Sequence, residues 1–493
     1  MMTPGTYLVS AVGCKVNQYE AQQLREALEA VGLRPVDEGG VPDLAVVNTC
    51  AVTRSAARKS RQLVRRCTHR GQTRVIVVGC GIADEPERFQ RIDGVLAVIG
   101  HDEGLTTRLS HILRAGQKPR PRKELSAVRQ NPSTAAGQHP CGPWDDSGIT
   151  STASVRVGAA PRTSASTFTK APKTDQVKWD LRGTVHRLVG HQRAFLKVQD
   201  GCDAACTYCI IPRLRRRLMS KPIEVACREA ADLVAAGHRE IVVTGICLGA
   251  YGRSSARRTL DRPGSTPLAV LLESLSAVPG LARIRLSSLD PGDVSDDLLD
   301  VMARAPSCVP HLHLPLQAGA DEILRRMNRQ YRIDAYLATI ERVRKALDRP
   351  AITTDVIVGF PGETDPQFGQ TLALVERVGS ARVHAFPFSL RANTPAERWR
   401  DEQLPDDVLH DRMQRLQALA DRTAQAYRRQ FVGQSERVIV ESHGPRGWQG
   451  RTDRYFPVTF SAPPKPDLRG RIVNVAIRSV TDDGVFGVLH DTE

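Results

Sequence analysis

Three cysteines lie close together in the segment Cys202-Asp-Ala-Ala-Cys206-Thr-Tyr-Cys209. Thiolates are preferred ligands of zinc and of iron–sulfur clusters, and this short spacing lets all three reach one metal centre. A structural zinc site needs four protein ligands, and the neighbouring sequence offers no fourth Cys or His at a matching spacing. Three ligands leave one iron of a [4Fe-4S] cluster open to another molecule. The spacing therefore predicts a catalytic cluster, and a structural zinc loop is the alternative.

Cys14, Cys50 and Cys80 are far apart in the sequence but share one position relative to predicted strands. Each stands just past the end of an apolar run, and these runs cover residues 6–12, 44–48 and 74–79. In a parallel sheet the carboxyl ends of the strands share one edge, where ligands bind. We therefore expect the three thiols to meet at that edge and hold a second metal centre. The alternative is that they are small apolar core residues.

The elements that must position these cysteines follow from the apolar pattern, which predicts an α/β chain. Residues 1–116 alternate strands with helices predicted at 18–31, 54–67 and 103–113, and this alternation favours a parallel sheet covered by helices. Residues 117–185 are rich in Pro, Ser, Thr, Ala and Gly. They lack the apolar residues that would offset the entropy of ordering, so we predict a flexible linker.

Residues 186–427 repeat the alternation on a larger scale. Six predicted strands joined by helices favour an α/β barrel, complete or partial, in which Cys202 follows the first strand. The six strands are predicted at 195–199, 240–244, 283–287, 312–316, 352–358 and 382–388. Residues 428–493 contain short apolar runs separated by turn residues. They predict a small β-barrel, an architecture that often binds oligonucleotides.

The cysteine loop on such a barrel resembles the radical S-adenosylmethionine superfamily, and the pairing of two three-cysteine sets resembles the methylthiotransferases within it. The strings that carry this resemblance are Gly13-Cys14-Lys15-Val16-Asn17-Gln18-Tyr19-Glu20, Asn48-Thr49-Cys50, His311-Leu-His-Leu-Pro-Leu-Gln-Ala-Gly319, Arg326-Met-Asn-Arg329 and Asp355-Val-Ile-Val-Gly-Phe-Pro-Gly-Glu363. Residues 450–455 resemble the family's TRAM RNA-binding domain. The first string is similar to the branch that acts on N6-threonylcarbamoyladenosine at position 37 of tRNA. Branches that act on isopentenyladenosine in tRNA or on a ribosomal protein are the alternatives.

The resemblance implies a tRNA-modifying enzyme with two [4Fe-4S] clusters and S-adenosylmethionine as cofactors. It implies that Cys202, Cys206 and Cys209 carry the cluster that generates a 5′-deoxyadenosyl radical, which abstracts hydrogen from C2 of the adenine. The other three cysteines would carry the sulfur that is methylated and inserted there. A radical is needed because this C–H bond is not acidic, so acid–base catalysis cannot activate it. The implied partners are tRNA, an electron donor of the flavodoxin or ferredoxin type, and a sulfur donor.

Residues that bind S-adenosylmethionine are expected at the ends of the barrel strands, where ligand groups of this fold lie. The candidates are Thr244, Gly245, Ser287, Ser288, Gln317, Asp355 and Gly359. Each of them also suits a turn or a helix cap, which is the alternative reading.

Four positions near the cysteine loop depart from the family's pattern. Arg216 stands where Gly is usual, and Met219 and Lys221 stand where Arg is usual. Lys cannot reproduce a bidentate Arg contact, so these changes affect the geometry of that loop. Cys247 stands where Asn or His is common. It is either a neutral replacement or a thiol near the cofactor.

Basic residues point to RNA independently of the cysteines. The chain has 69 Lys and Arg against 54 Asp and Glu, a formal net charge of +15 at pH 7. From residue 54 to residue 74 there are seven Arg, one Lys and no acid. A stripe at helical spacing that suits RNA phosphates comprises Arg54, Arg58, Arg61 and Arg65. An ordinary solvated helix face is the alternative.

The expected cellular compartment follows from the hydropathy pattern, from the first residues of the chain and from its cysteine content. No apolar run reaches the ~18 residues that a membrane span requires, and residues 1–12 lack the features of a signal peptide. We therefore expect a cytoplasmic protein without a membrane partner. In that reducing compartment, the 11 cysteines of the chain favour metal binding over disulfides.

Two other functions fit the same features. One is a non-catalytic RNA-binding protein whose cysteines bind zinc, and the other is a related radical enzyme that acts on a protein.

Overall fold

The computed structural model describes residues 5–69, 73–100, 183–257, 266–463 and 466–492. They fall into two compact units, one formed by the described residues up to 100, apart from 52–54, and the other by the rest. The predicted helix at 103–113 and nearly all of the predicted linker at 117–185 lie outside the described residues. None of the helices in the described part is long and apolar enough to cross a membrane.

The first unit is a parallel sheet covered by helices, as predicted. Its elements are β1 (Thr6–Ala11), α1 (Lys15–Ala30), β2 (Arg34–Pro35), β3 (Leu44–Thr49), α2 (Arg54–Thr68), β4 (Arg74–Gly79), α3 (Cys80–Asp84), α4 (Pro86–Gln90) and β5 (Val95–Ile99). The strand order is β2-β1-β3-β4-β5, and every pairing is parallel. In β3, Val46 clusters with Leu24 of α1 and Val47 clusters with Val64 of α2. Because both faces are covered, the strands read as apolar runs rather than as alternating patterns.

The second unit begins with a partial α/β barrel. Its elements are β6 (Arg193–Asp200), α5 (Ile211–Leu214), β7 (Met219–Ser220), α6 (Ile223–Ala235), β8 (Glu240–Gly245), α7 (Pro267–Ser276), β9 (Arg283–Leu286), α8 (Asp296–Arg304), β10 (His311–His313), α9 (Asp321–Arg326), α10 (Ile333–Ala346), β11 (Ala351–Val358), α11 (Asp365–Val378) and β12 (Arg382–Pro387). The parallel strands β6, β8 and β9 form one sheet, and β10, β11 and β12 form another. Parallel bridges from Ile284 to Cys308 and from Ser288 to His313 connect the two.

The fourth barrel strand differs from its prediction. It covers only His311–His313 rather than 312–316. Side chains satisfy the carbonyl groups that follow: Thr354 donates to Leu314 O at 2.8 Å, and Tyr331 donates to Pro315 O at 2.8 Å. Pro315 also lacks an N–H for a strand pairing. An apolar pattern cannot reveal that side chains replace the backbone ladder.

A small closed β-barrel ends the chain, as predicted. It follows α12 (Asp406–Arg429) and consists of β13 (Ser435–Gly444), β14 (Gly447–Thr452), β15 (Pro457–Ser461), β16 (Ile472–Val480) and β17 (Val485–Thr492), in the order β13-β14-β15-β17-β16. The apolar pattern does not reveal strand β14, because its two glycines and polar residues hide the strand periodicity. Val438, Trp448 and Phe460 are among the buried residues of its core.

The turn between β14 and β15 joins this barrel to the partial barrel. Tyr455 adopts φ +71°, and the Arg193 and Arg285 guanidinium carbons lie 5.2 and 4.8 Å from the centroid of its ring. The ring of His311 lies 4.9 Å away. Arg193 and His311 begin β6 and β10, and Arg285 lies within β9. The segment at 450–455 therefore docks the C-terminal barrel through cation–π contacts.

Candidate metal centres

The cysteine loop, residues 202–209, starts at the carboxyl end of β6. Gly201 opens it at φ +80°, and a Cβ there would lie 1.9 Å from the carbonyl oxygen of Arg217, so only glycine fits. The N–H of the first cysteine donates to Arg215 O at 3.0 Å. The Arg215 guanidinium donates in turn to Asp200 at 2.9 Å. The residues that follow the loop therefore hold its start in place.

The three thiols of this loop act on one another electrostatically. Burial raises the pKa of the Cys209 thiol to about 12, and the thiols of Cys206 and Cys202 act in the same direction. Two donors face the sulfurs: Arg329 donates to Cys206 Sγ at 3.4 Å, and the Ala204 N–H donates to Cys202 Sγ at 3.4 Å. Metal binding requires thiolates, and these donors stabilise their negative charge. The donor set therefore fits a [4Fe-4S] cluster.

Arg329 is a further site residue, which the sequence shows only as the last member of the string Arg326-Met-Asn-Arg329. Its guanidinium also pairs with Asp290 and lies 4.9 Å from the centroid of the Tyr331 ring. The preceding Asn328, at φ +56°, donates from Nδ2 to Ala205 O at 2.8 Å. The segment 326–329 therefore packs against the cysteine loop, and Arg329 directs a positive charge toward the loop.

Most of the predicted S-adenosylmethionine contacts lie where barrel strands end. Thr244 and Gly245 close β8, Ser287 and Ser288 follow β9, Gln317 follows β10, and Asp355 lies in β11. Gln317 adopts φ +65°, and its N–H donates to Asp355 O at 2.8 Å. A left-handed backbone at a non-glycine residue is strained, and such strain is concentrated at ligand sites. The Asp355 carboxylate lies 3.2 Å from His313 Nε2.

Gly359 has a packing role that explains its identity. At φ +74°, a Cβ there would lie 2.7 Å from the Leu409 side chain of α12. Its N–H donates to Glu363 at 2.9 Å. These contacts alone explain why this residue is a glycine, so its role in binding S-adenosylmethionine stays a prediction.

The atypical residues after the loop differ in their surroundings. The Lys221 side chain is fully buried and pairs with Glu229. The Tyr251 hydroxyl donates to the backbone carbonyl oxygen of Lys221 at 2.6 Å. Lys221 therefore belongs to a buried ion pair. Arg216 is exposed, and Met219 lies in β7.

Cys247 lies beside the cysteine loop, between β8 and the short 3-10 turn Leu248–Ala250. Its thiol forms a hydrogen bond with Cys202, which lowers the pKa of the Cys202 thiol and raises the pKa of Cys247. Its backbone N–H donates to Gln199 Oε1 at 2.7 Å. Of the two readings of this position, the structure supports a thiol next to the predicted cluster.

The second cysteine set lies at the carboxyl edge of the first unit's sheet, as expected. Cys14 occupies the N-cap position of α1, Cys50 follows β3, and Cys80 begins α3. Cys14 is exposed, whereas Cys50 and Cys80 are buried. A Cβ at Gly13 would lie 2.9 Å from Cys50 Sγ, so glycine keeps the first loop against the second. Within the described ranges, no three His, Cys, Asp or Glu side chains are arranged to hold a single metal ion. A [4Fe-4S] cluster instead takes each thiolate at a different iron.

Two buried asparagines tie these loops together. Asn17 Nδ2 donates to Val12 O at 2.8 Å and to Thr49 O at 3.1 Å, and Asn48 Nδ2 donates to Asn17 O at 3.0 Å. Asn48 Oδ1 is buried and has no hydrogen-bond partner among the described residues. A Cβ at Gly79 would lie 2.2 Å from that oxygen. Both asparagines therefore position the segments that carry the three cysteines.

The predicted RNA-binding stripe lies on α2. Arg54, Arg58 and Arg65 are exposed. Arg61 is only 26% exposed and pairs with Glu85 at 3.2 Å. An acid from outside the helix thus neutralises one of the four arginines, which local sequence cannot show.

Comparisons with known proteins cover nearly the whole chain. Residues 6–100 match the Uncharacterized protein family UPF0004, and residues 196–375 match the Radical SAM superfamily. The threonylcarbamoyladenosine tRNA methylthiotransferase MtaB of Chlamydia pneumoniae is 32% identical over 98% of both chains. The tRNA-2-methylthio-N(6)-dimethylallyladenosine synthase of Sphingopyxis alaskensis is 33% identical over 91% of this chain and 89% of its own.

A solved structure agrees in fold. The radical S-adenosylmethionine methyltransferase TsrM of Kitasatospora setae superposes with a TM-score of 0.51 over 80% of this chain and 74% of its own, at 16% identity. The two tRNA relatives are named as enzymes that methylthiolate tRNA, and each matches more than nine-tenths of this chain. This chain therefore belongs to the radical S-adenosylmethionine tRNA methylthiotransferase family.

Proposed function

We propose that this protein converts N6-threonylcarbamoyladenosine at position 37 of tRNA to its 2-methylthio derivative, using two [4Fe-4S] clusters and S-adenosylmethionine. The observation that carries the proposal is the placement of two separate three-cysteine sets, each past the carboxyl end of parallel strands. Three relatives with this substrate in their names each match more than nine-tenths of the chain. The isopentenyladenosine-type substrate is the alternative that a relative of similar identity suggests.

The residues of this chain have distinct tasks in the proposed reaction. Cys202, Cys206 and Cys209 would hold the cluster that would supply the electron for cleaving S-adenosylmethionine, and Cys14, Cys50 and Cys80 would hold the cluster that would carry sulfur. Arg329 and the Ala204 N–H stabilise the thiolate charge. Polar groups at the ends of β8 to β11 orient S-adenosylmethionine. Radical chemistry suits the target because the C2–H bond is not acidic.

The remaining assignments complete the proposal. The domains are residues 1–116, a linker at 117–185, a radical core at 186–427 and an RNA-binding barrel at 428–493. A flavodoxin- or ferredoxin-type protein donates electrons, a sulfur donor resupplies the sulfur, and the enzyme acts in the cytoplasm.

Nucleosides from a deletion strain test the substrate. We expect loss of 2-methylthio-N6-threonylcarbamoyladenosine, accumulation of its unmodified precursor, and unchanged levels of the isopentenyladenosine-derived nucleoside. Mass spectrometry of digested tRNA measures all three, and the reintroduced gene should restore the wild-type pattern. Loss of the isopentenyladenosine derivative instead would assign the enzyme to the other branch.

The α2 stripe is expected to contact RNA phosphates. Changing Arg58 and Arg65 together to Gln should weaken tRNA binding and reduce the slope of log affinity against log salt by about one for each lost phosphate contact. Filter binding across a salt series measures both quantities. Arg91→Gln is the matched control, since Arg91 is also exposed but pairs with Glu87. An unchanged slope in the double variant would show that α2 is an ordinary solvated face.

A further inference from the structure

Phe386 is the most exposed aromatic residue in the described ranges, at 42% exposure. It lies in β12, the last strand of the partial barrel, one residue before the carboxyl end of that strand. The other large apolar side chains with similar exposure in the described part of the chain are valines and a leucine. A single exposed apolar residue is ordinary on a protein surface, so the position of Phe386 decides what its ring can do.

Strand pairing places Phe386 on the same face of the sheet as Asp355. In the parallel pairing of β11 with β12, Asp355 lies opposite His384, and Ile357 lies opposite Phe386. Residues two apart in a strand share a face, so these four side chains lie on one face. The intervening Val356 is fully buried on the other face, whereas all four keep some exposure. This face is therefore accessible at the carboxyl ends of both strands.

A row of packed rings holds Phe386 in position. The ring of His384 lies 6.4 Å from the Phe386 ring, and their planes differ by only 21°. The His384 ring lies 5.8 Å from the ring of His313. His313 in turn contacts Thr353 Oγ1 through Nδ1 at 2.9 Å and the Asp355 carboxylate through Nε2 at 3.2 Å. The exposed ring therefore belongs to an ordered cluster that reaches a predicted S-adenosylmethionine contact.

The chain just past β12 lies beside the cysteine loop. The ring of Phe388 lies 5.2 Å from that of Phe360, and the Phe360 ring lies 6.4 Å from that of Tyr208 in the loop. A reacting base must come within a few ångströms of the group that attacks it. The face that carries Phe386 is therefore close to where the proposed radical forms.

We propose that the Phe386 ring is the platform on which the target adenine of tRNA stacks. The inference rests on the proposed function, because it takes the adenine at position 37 as the substrate. Proteins that recognise single-stranded RNA turn bases out of loops and stack them on aromatic side chains. Ile357, opposite Phe386 in the strand pairing, extends the apolar surface. The adenine of S-adenosylmethionine has the same flat apolar face, so the test must separate the two purines.

Fluorescence of 2-aminopurine measures the proposed contact. The full chain with its clusters is titrated, without S-adenosylmethionine, with an anticodon stem-loop RNA that carries 2-aminopurine at position 37. Stacking on an aromatic ring quenches this probe, and its amino group at C2 blocks turnover. We expect Phe386→Ala to raise Kd about 10-fold and to abolish the quenching. Phe386→Tyr should retain both properties. Val270→Ala is the control, since Val270 is an exposed apolar residue on α7.

Two further measurements make the result specific. Phe386→Leu keeps the apolar bulk without a ring, so it should also lose the quenching while its iron and sulfide contents match those of the wild type. Equilibrium dialysis with labelled S-adenosylmethionine should give the same Kd for Phe386→Ala and the wild type.

The proposal is overturned by unchanged RNA affinity and quenching in Phe386→Ala and Phe386→Leu. It is also overturned if Phe386→Ala weakens S-adenosylmethionine binding alone, which would place the adenine of the cofactor on the ring. Failure of the proposed function has a different signature. Wild-type protein would then quench the probe through Phe386 but form no 2-methylthio nucleoside on natural tRNA, and the stacking platform would stand.

Discussion

Replacing Cys202 with alanine is expected to abolish cleavage of S-adenosylmethionine, whereas replacing Cys50 is expected to preserve cleavage and abolish sulfur insertion. The reason is that the two residues belong to separate cysteine sets on separate sheets. Loss of Cys202 removes a ligand of the cluster proposed to supply the electron. Loss of Cys50 removes a buried ligand from the centre proposed to carry sulfur.

Anaerobic assays with a chemical reductant measure both steps. Release of 5′-deoxyadenosine reports cleavage, and mass spectrometry of the tRNA nucleoside reports insertion. The wild-type chain should contain about eight iron and eight sulfide, and each variant about half. Cys227→Ala should match the wild type in all three measurements. Methylthiolated tRNA from Cys50→Ala would refute the two-cluster assignment, and stoichiometric zinc without sulfide would favour a non-catalytic zinc protein.

The second large effect is expected from Glu240→Gln, which should lower the free energy of unfolding of the second unit by ~3–5 kcal/mol. Glu240 is fully buried at the start of β8, and it pairs with Arg285 at 2.8 Å and with Arg283 at 3.3 Å. Both guanidinium groups are buried too, so removing the carboxylate leaves charges without full compensation. Urea unfolding followed by circular dichroism measures the loss. The control is Glu273→Gln, which removes an exposed pair with Arg304 and should cost at most ~1 kcal/mol.

The pH dependence of that loss provides a further check. Burial opposes ionisation of Glu240, but Arg285, Arg283 and Arg193 outweigh it and lower the pKa of Glu240 to about 2. An unfolded Glu titrates at about 4.3. Because the folded pKa is the lower one, the stabilisation is fully present above about pH 5 and is lost as pH falls toward 2. The stability difference between wild type and Glu240→Gln should therefore shrink over that window. A difference that stays constant would show that the ionised carboxylate is not its source.

Much of the site was accessible from short patterns. The spacing of Cys202, Cys206 and Cys209 predicts a three-thiolate loop, because ligands this close in sequence need only one turn of backbone to converge. Cys14, Cys50 and Cys80 required one further step, the rule that parallel strands present their carboxyl ends at one edge. The apolar runs predicted the parallel sheet, the partial barrel and the C-terminal barrel, since burial on both faces leaves a strong local signal.

Contacts between distant segments could not be predicted in the same way. Arg329 reaches Cys206 across more than a hundred residues, and the partner that neutralises Arg61 lies on another element. Tyr455 belongs to a string that resembles an RNA-binding domain, yet its ring packs among arginines from the partial barrel. Such pairings depend on side-chain direction and on loop closure, neither of which leaves a periodic pattern.

The sequence by itself therefore determined which residues can bind metal and which strands carry them, because ligand chemistry and burial are properties of residue type and local spacing. Only the tertiary structure decided which charges and donors face those ligands. Cys247 shows the difference: in the sequence it was either a neutral replacement or a thiol near the cofactor, and folding brings its N–H to Gln199 Oε1, at the end of β6, at 2.7 Å. The physical reason is that a hydrogen bond requires a precise approach of two groups, which is set by the packing of β6 against β8 and by no pattern within either strand.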